Sequence, residues 1–154
     1  MMDRCMDNLR DIVRGIESLS EEDLSKLCLE VDQHKDIIII GNGGSNAIAS
    51  HISIDYTKFL NKRCISFDDA PRLTAYFNDY GTENAYSAFL KDFATDDHLV
   101  ILISSSGESA NILNATKYCM LSGIDYIILT GMKEDNRTRN LYGSNAKADI
   151  WVNS

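Results

Sequence analysis

The sequence lacks the long apolar segments that mark membrane proteins and secreted precursors. No apolar run approaches the about 18–20 residues that a membrane-spanning helix needs. Residues 1–14 mix charges of both signs and contain no apolar signal core. No internal repeat, low-complexity stretch or linker interrupts the 154 residues. We therefore expect one cytoplasmic domain with a single hydrophobic core.

Basic residues are also scarce. Fifteen Lys and Arg stand against 23 Asp and Glu, which gives a formal net charge of −8. Nucleic acids and anionic membrane surfaces are bound by basic patches, so we expect neither as a partner. A small anionic ligand would have to be held by local backbone N–H groups, since the overall field repels it.

No pair of cysteines has the C-x-x-C spacing of a metal or redox site. A disulfide framework does not fit a cytoplasmic chain of this size. We expect buried or half-buried free thiols at all four positions: Cys5, Cys28, Cys64 and Cys119.

Two amphipathic helices are predicted before residue 36. The first carries an apolar stripe of Met6, Leu9, Val13 and Ile16. The second begins after Ser20, a capping residue followed by three acidic residues. Its apolar side contains Leu24, Leu27, Cys28 and Val31. Both stripes are typical of core packing, and the narrow first stripe could instead pack against a partner chain.

From residue 36 the pattern becomes alternating buried strands and helices, which indicates βαβ units and a parallel sheet. Strands are predicted at 37–40, 63–67, 99–103, 126–129 and 149–152. Helices are predicted from the glycine cluster to about 59, at 69–77 and 83–93, up to 121 before Gly123, and around Leu141. The fold class is a three-layer αβα sandwich with a five-stranded parallel sheet. No helix follows the fifth strand, so we expect either a shortened chain or another subunit over that strand.

Ligands of open α/β sheets bind beyond the carboxyl ends of the strands. The loop after the third strand contains four hydroxyls around Gly107, directly before a helix: Ser104, Ser105, Ser106 and Ser109. Free N–H groups and the helix dipole at this point favour a phosphate. Glu108 has to turn away from such an anion. An ordinary helix cap would give the same pattern.

The loop after the first strand, Gly41-Asn42-Gly43-Gly44-Ser45, is the second candidate. It matches neither the dinucleotide fingerprint nor a Walker loop, but its glycines let the backbone approach a ligand. In the following helix, His51 and Asp55 share one face. Such a pair can ligate a metal, act as acid and base, or form a simple surface hydrogen bond. His34 and His98 precede strands and are interpreted as surface residues.

These motifs resemble the phosphoheptose isomerases of the sugar isomerase (SIS) group. The resemblance rests on residues 41–45 with His51 and Asp55, on 78–81 (Asn-Asp-Tyr-Gly), on 103–109 and on 129–131. It covers residues 1–154 as one SIS domain, with helices in 1–35 and the flavodoxin-like sandwich in 36–154. It implies a homo-oligomer, a tetramer or dimer, that isomerises sedoheptulose 7-phosphate for heptose in bacterial surface polysaccharides.

The resemblance also implies a role for each site residue. Ser104, Ser105, Ser106 and Ser109 would bind the phosphate, and Asn42, Gly43, Gly44 and Ser45, with Asn78 and Asp79, the sugar. His51 would be a zinc ligand, and Asp55 a zinc ligand and catalytic base. The family has a longer glutamate at position 55, and its last helix carries a glutamine and a histidine that this sequence lacks. A non-catalytic domain that senses a sugar phosphate, and an isomerase for another sugar phosphate, are therefore alternative interpretations.

Overall fold

The computed structural model describes residues 2–153, except the side chains of residues 2–5 and 7. The helices are α1 Met2–Glu17, α2 Glu21–Gln33, α3 Gly44–Phe59, α4 Ala70–Tyr80, α5 Ala85–Phe93, α6 Ala110–Ser122 and α7 Arg137–Tyr142, which a 3₁₀ turn, Gly143–Asn145, extends. The strands are β1 Asp36–Gly41, β2 Arg63–Ser66, β3 His98–Ser104, β4 Asp125–Thr130 and β5 Ala148–Trp151. Within this part of the chain, no helix has the length and apolarity to cross a membrane.

All five strands are parallel and lie in the order β2-β1-β3-β4-β5. The predicted three-layer αβα sandwich is therefore confirmed. The chain leaves β1 toward β2 on one side and returns to β3 on the other. The crevice beyond the ends of β1 and β3 is thus the switch point of the sheet, where such folds place their ligands.

The isoleucine run of β1 faces both helical layers. Ile38 and Ile40 belong to a core formed with α4, α5 and α6, while Ile37 and Ile39 belong to a core formed with α2 and α3. All four side chains are at most 1% exposed. Period-two alternation in a strand covered on both faces produces this continuous apolar run.

The apolar stripe of α1 does not pack into the core of its own chain. Met6, Leu9, Val13 and Ile16 are 46–61% exposed. Core packing was the wrong interpretation for this stripe, and packing against a partner chain stays a prediction. The opposite side of α1 meets the segment after β5, where a Cβ on Gly15 would lie 2.6 Å from the carbonyl oxygen of Asn153.

The fifth strand is better covered than the sequence suggested. Ala148 and Ile150 are 3% exposed and belong to the core with α2 and α3. On the other face, Asp149 accepts a hydrogen bond from Arg139 of α7 at 2.9 Å. The short helix expected around Leu141 is therefore present and covers part of β5.

The cysteine predictions have mixed outcomes. Cys64 and Cys119 are buried free thiols, as expected, and burial raises the pKa of each to about 12. Cys28 is free but exposed, so its predicted burial is wrong. The Cys5 side chain lies outside the described residues.

Candidate functional site

The glycine loop connects β1 to α3 through a very tight turn. A Cβ on Gly41 would lie 2.7 Å from the backbone carbon of Ser45, so only glycine fits between the strand end and the helix start. Gly43 caps α3 with a φ of +52°, which also favours glycine. Asn42, Gly43 and Gly44 are exposed at the carboxyl end of β1, and Ser45 is half-buried.

A pair of amides joins this loop to the start of α6. The side chains of Asn42 and Asn111 each donate to the other's oxygen at 2.9 Å. The Tyr86 hydroxyl lies 2.7 Å from the Gly41 carbonyl oxygen and 2.8 Å from Asn42 Oδ1, and its one proton serves either. Burial raises the pKa of Tyr86 to about 12, so the phenol stays protonated at neutral pH. The loop geometry therefore depends on contacts from α5 and α6.

Sequence reasoning missed both Tyr86 and Asn111. Tyr86 is 2% exposed and Asn111 is 6% exposed. Asn111 had one detectable signal: a polar residue on the core-facing side of α6, in the turn that follows the serines. Its Oδ1 also accepts from the backbone N–H of Ile112 at 2.9 Å. Tyr86 gave no signal, because its partners lie more than 40 residues away in sequence.

The serine loop, residues 104–109, lies beside the glycine loop at the end of β3. Ser104 is buried and its Oγ accepts from the Gly107 N–H at 3.1 Å. Ser106 Oγ accepts from the Glu108 N–H at 3.2 Å. Ser105 is exposed, and Ser109 stands at the N-cap of α6 without a side-chain cap bond. The hydroxyls of Ser105 and Ser109 thus make no hydrogen bond within the loop.

Residues at the N-terminal end of α7 pack against this loop and hydrogen bond to its backbone. The carbonyl oxygen of Gly107 accepts from Thr138 twice, from Oγ1 at 2.7 Å and from the backbone N–H at 3.0 Å. Gly107 has a φ of +65°, and a Cβ there would lie 2.0 Å from Asn136 Oδ1. Asn136 and Thr138 are 1% and 0% exposed. The polar stretch after β4 therefore shapes the loop, which its sequence did not suggest.

Glu108 points away from the loop interior, as a bound anion would require. Its Oε1 accepts from the backbone N–H of Arg137, the first residue of α7, at 3.0 Å. This contact stabilises the carboxylate at a helix start. The acidic residue therefore does not oppose anion binding in the manner that its sequence position suggested.

The structure corrects the loop predicted at residues 78–81. Helix α4 continues through Tyr80, and Gly81 ends it with a φ of +73°. Asn78 and Asp79 lie in the last helical turn, both exposed, with Asn78 Nδ2 donating to Asp79 Oδ1 at 2.9 Å. Their role in sugar binding stays a prediction.

His51 and Asp55 meet on α3, but they lie at the surface. His51 Nε2 is 3.4 Å from Asp55 Oδ2, and the two side chains are 78% and 45% exposed. A catalytic zinc takes three protein ligands in most enzymes. Over the described residues, no third His, Cys, Asp or Glu joins this pair. By itself, the pair does not fit a catalytic zinc.

Comparison with known proteins identifies the family. No family model matches the chain. The phosphoheptose isomerase of Aliarcobacter butzleri is 34% identical over 129 residues, which cover 78% of this chain and 68% of the relative. That of Aneurinibacillus thermoaerophilus is 34% identical over 133 residues, 80% of this chain and 67% of the relative. This chain belongs to the phosphoheptose isomerase family.

Other family members are matched over a smaller share of their length. The phosphoheptose isomerase of Fusobacterium nucleatum subsp. nucleatum is 32% identical over 117 residues, which is 60% of that protein. Among solved structures, a phosphoheptose isomerase from Neisseria gonorrhoeae superimposes with a TM-score of 0.89 at 24% identity, over 99% of this chain and 87% of that one. One from Francisella tularensis gives 0.82 at 22% identity, over 99% and 86%. The fold is that of the phosphoheptose isomerases.

Proposed function

We propose that this chain is a sugar-phosphate aldose–ketose isomerase that converts sedoheptulose 7-phosphate to D-glycero-D-manno-heptose 7-phosphate in the cytoplasm, for the heptose of bacterial surface polysaccharides. Membership of the phosphoheptose isomerase family supports the reaction. The observation that carries the proposal is the amide pair between Asn42 and Asn111. It joins the glycine loop to the first turn of α6, so that one ligand can contact both loops.

The phosphate is assigned to the serine loop. In the first turn of α6, the backbone N–H of Ile112 donates to Asn111 Oδ1, which leaves those of Ala110 and Asn111 for an anion at the loop. Ser105, Ser106 and Ser109 add hydroxyl donors, while Ser104 maintains the turn through Gly107. With a net charge of −8 on the chain, these local dipoles have to provide the attraction.

The sugar is assigned to the glycine loop and the end of α4. Asn42 through Ser45 present backbone groups that a hydroxylated ligand can approach closely, and Asn78 and Asp79 are exposed donors and acceptors. An aldose–ketose shift removes a proton beside a carbonyl and returns it to the neighbouring carbon. Asp55 is proposed as the base, with His51 orienting it at 3.4 Å. Zinc on His51 and Asp55 stays a prediction that requires a further ligand from outside residues 2–153 or from another subunit.

An oligomer would cover the surface on which this pair lies. Ile48, one turn before His51, and Phe59, one turn after Asp55, are 53% and 72% exposed. These two side chains, and separately the α1 stripe, are exposed apolar surface of the kind buried between subunits. We propose a tetramer or dimer of single SIS domains. Light scattering after size exclusion tests this: a monomeric mass at micromolar concentration contradicts it, and Ile16→Asp should shift an oligomer toward smaller species.

Incubation with sedoheptulose 7-phosphate, with and without zinc, tests the isomerase proposal. We expect NMR to show the signals of the aldose product. Ligand-induced shifts or a raised melting temperature without turnover would contradict the isomerase and favour the sugar-phosphate sensor. Turnover of another sugar phosphate alone would favour the third alternative. Absence of both binding and turnover would contradict all three.

A further inference from the structure

A second cluster of side chains that could ligate a metal lies at the opposite end of the sheet, where the strands begin. Glu30 and His34 stand at the end of α2, and Asp125 is the first residue of β4. One ligand atom from each of the three lies within 4.8 Å of the others. These residues are at the amino ends of the strands, whereas the serine loop follows a carboxyl end. His34 was interpreted as a surface residue, and this was wrong: its side chain is only 13% exposed.

The contacts of His34 fix which ring nitrogen carries the proton. Nδ1 lies 2.8 Å from the backbone carbonyl oxygen of Glu30, which also accepts the His34 backbone N–H, and only a protonated Nδ1 can approach an acceptor this closely. Nε2 lies 3.3 Å from Asp125 Oδ2. A cation between Nε2 and the carboxylate would accept a lone pair from each, whereas without a metal a doubly protonated ring would donate to Asp125 instead. A histidine that donates from one nitrogen to a backbone carbonyl is oriented to ligate a metal with the other.

Glu30 provides an independent observation. Its side chain is 13% exposed, and its Oε2 is fully buried with no hydrogen-bond partner among the described residues. A buried carboxylate oxygen without a hydrogen-bond donor is costly. The nearest ring nitrogen, His34 Nδ1, is 3.8 Å away, too far for a hydrogen bond. A metal ion at this position would satisfy the oxygen directly.

We propose that Glu30, His34 and Asp125 bind a divalent transition metal ion, zinc or a close equivalent, with water in the fourth position, at a site that stabilises the fold. Around a tetrahedral zinc with bonds of about 2.0–2.1 Å, ligand atoms stand about 3.4 Å apart. The 3.3 Å between His34 Nε2 and Asp125 Oδ2 has this spacing. The three ligand atoms lie within 4.8 Å of one another, so binding requires the Glu30 carboxylate to shift toward the ion. The bound ion ties the end of α2 to the start of β4.

Lys147 is the competing cation at this site. Its Nζ lies 3.1 Å from Asp125 Oδ2, and its side chain is 43% exposed. A metal ion would take over the charge compensation of Asp125, and the lysine can swing into water. Removing Lys147 should therefore tighten metal binding. If the cluster were only an ion-pair network, the same change would lower stability and give no gain in metal affinity.

The test titrates chelator-treated protein with zinc and follows a competing chromophoric chelator and the melting temperature. Loss of an outer-shell partner weakens metal binding by about 10- to 100-fold. We expect His34→Asn and Asp125→Asn to weaken zinc binding by more than this, because each removes a direct ligand. Both variants should lose the zinc-dependent rise in melting temperature. Asn keeps a donor near the position of Nδ1, and Asp125→Asn keeps the shape of the side chain.

His51→Asn is the matched control, because it removes the histidine of the other candidate zinc position. We expect it to retain the zinc-dependent stabilisation, and Lys147→Ala to bind zinc more tightly than the unaltered chain. Unchanged zinc affinity in Asp125→Asn would overturn the proposal. So would zinc stabilisation that disappears in His51→Asn alone, or a Lys147→Ala protein whose zinc affinity does not rise. If His34→Asn does not fold, Asp125→Asn and Lys147→Ala decide the matter.

Discussion

The side-chain amides of Asn42 and Asn111 hydrogen bond to each other in both directions, each at 2.9 Å, across 69 residues of sequence. This contact joins the ends of β1 and β3 beyond the point where their backbone pairing stops at Gly41 and Ile103. The two candidate ligand loops are therefore held in one arrangement before any ligand arrives.

Asn111→Ala should reduce the free energy of unfolding by about 1–3 kcal/mol, because it leaves the buried backbone N–H of Ile112 without its acceptor and removes the contact to Asn42. The glycine loop should also lose its fixed position, which weakens sugar-phosphate binding. Urea denaturation and ligand titration measure the two effects. Lys117→Ala, an exposed change on the same helix, serves as the control. A variant as stable as the control would show that the amide pair contributes little.

Gly107→Ala should destabilise the protein by about 1–3 kcal/mol through its positive φ alone, and the collision with Asn136 adds to that. The serine loop would be pushed away from α7, and anion binding should be lost. Gly44→Ala is the comparison for thermal unfolding, since no atom lies within 4 Å of its added Cβ. Equal melting temperatures in the two variants would contradict the role of Gly107.

The serines should separate into two groups. Ser105→Ala and Ser109→Ala should weaken sugar-phosphate binding about tenfold or more, since a hydrogen bond to a charged group contributes about 1.5–3 kcal/mol. Their stability should not change. Ser104→Ala should lower both stability and binding, because its Oγ holds the Gly107 N–H. Calorimetric titration and urea denaturation measure this, with exposed Ser122→Ala at the far end of α6 as control. Unchanged sugar-phosphate affinity in Ser109→Ala would show that Ser109 does not bind the phosphate.

Asp55→Asn should reduce isomerase turnover by about 10²- to 10⁴-fold, the usual contribution of a catalytic base, with little change in the free energy of unfolding because the side chain is half exposed. Asp55→Glu keeps the charge and restores the longer reach, so it should retain turnover. Lys58→Ala, in the last turn of the same helix, is the control. Turnover by Asp55→Asn at the normal rate would require another base.

Cysteine reactivity should differ by position at pH 8. Burial raises the pKa of Cys64 and Cys119 to about 12, so at this pH almost none of either thiol is present as the reactive thiolate. Exposed Cys28 should react with iodoacetamide, and the two buried thiols only after unfolding. Peptide mass spectrometry reads each cysteine separately. Labelling of Cys64 in the folded protein at the rate of Cys28 would contradict the burial.

The sheet was predictable because its signal is local. Ile37 to Ile40 are consecutive and β-branched, and a strand buried on both faces needs nothing more. The end of α4 was not predictable in this way. Asn78, Asp79 and Gly81 are typical turn residues, yet the first two complete a helical turn whose apolar side packs on α5. Tertiary packing overrode the local preference.

The serine and glycine loops could be located from sequence, since both follow predicted strands. The contacts that shape them could not, because Tyr86, Asn111 and Thr138 reach the loops from distant segments. The α1 stripe is a second case in which sequence does not reveal the partner of a side chain. Its periodicity indicates an apolar face, but periodicity does not say whether that face meets its own chain or another one.

Strands β1 and β3 each contribute alternate side chains to both cores, Ile38 and Val100 to one and Ile37 and Leu99 to the other. If either helical layer separated from the sheet, it would expose one face of β1 and β3, the same strands on which the other layer packs. Unfolding should therefore be one cooperative event and not a stepwise loss of layers. Because the serine loop begins at Ser104, the last residue of β3, the strand amides that lead into it should exchange with solvent only when the whole domain opens.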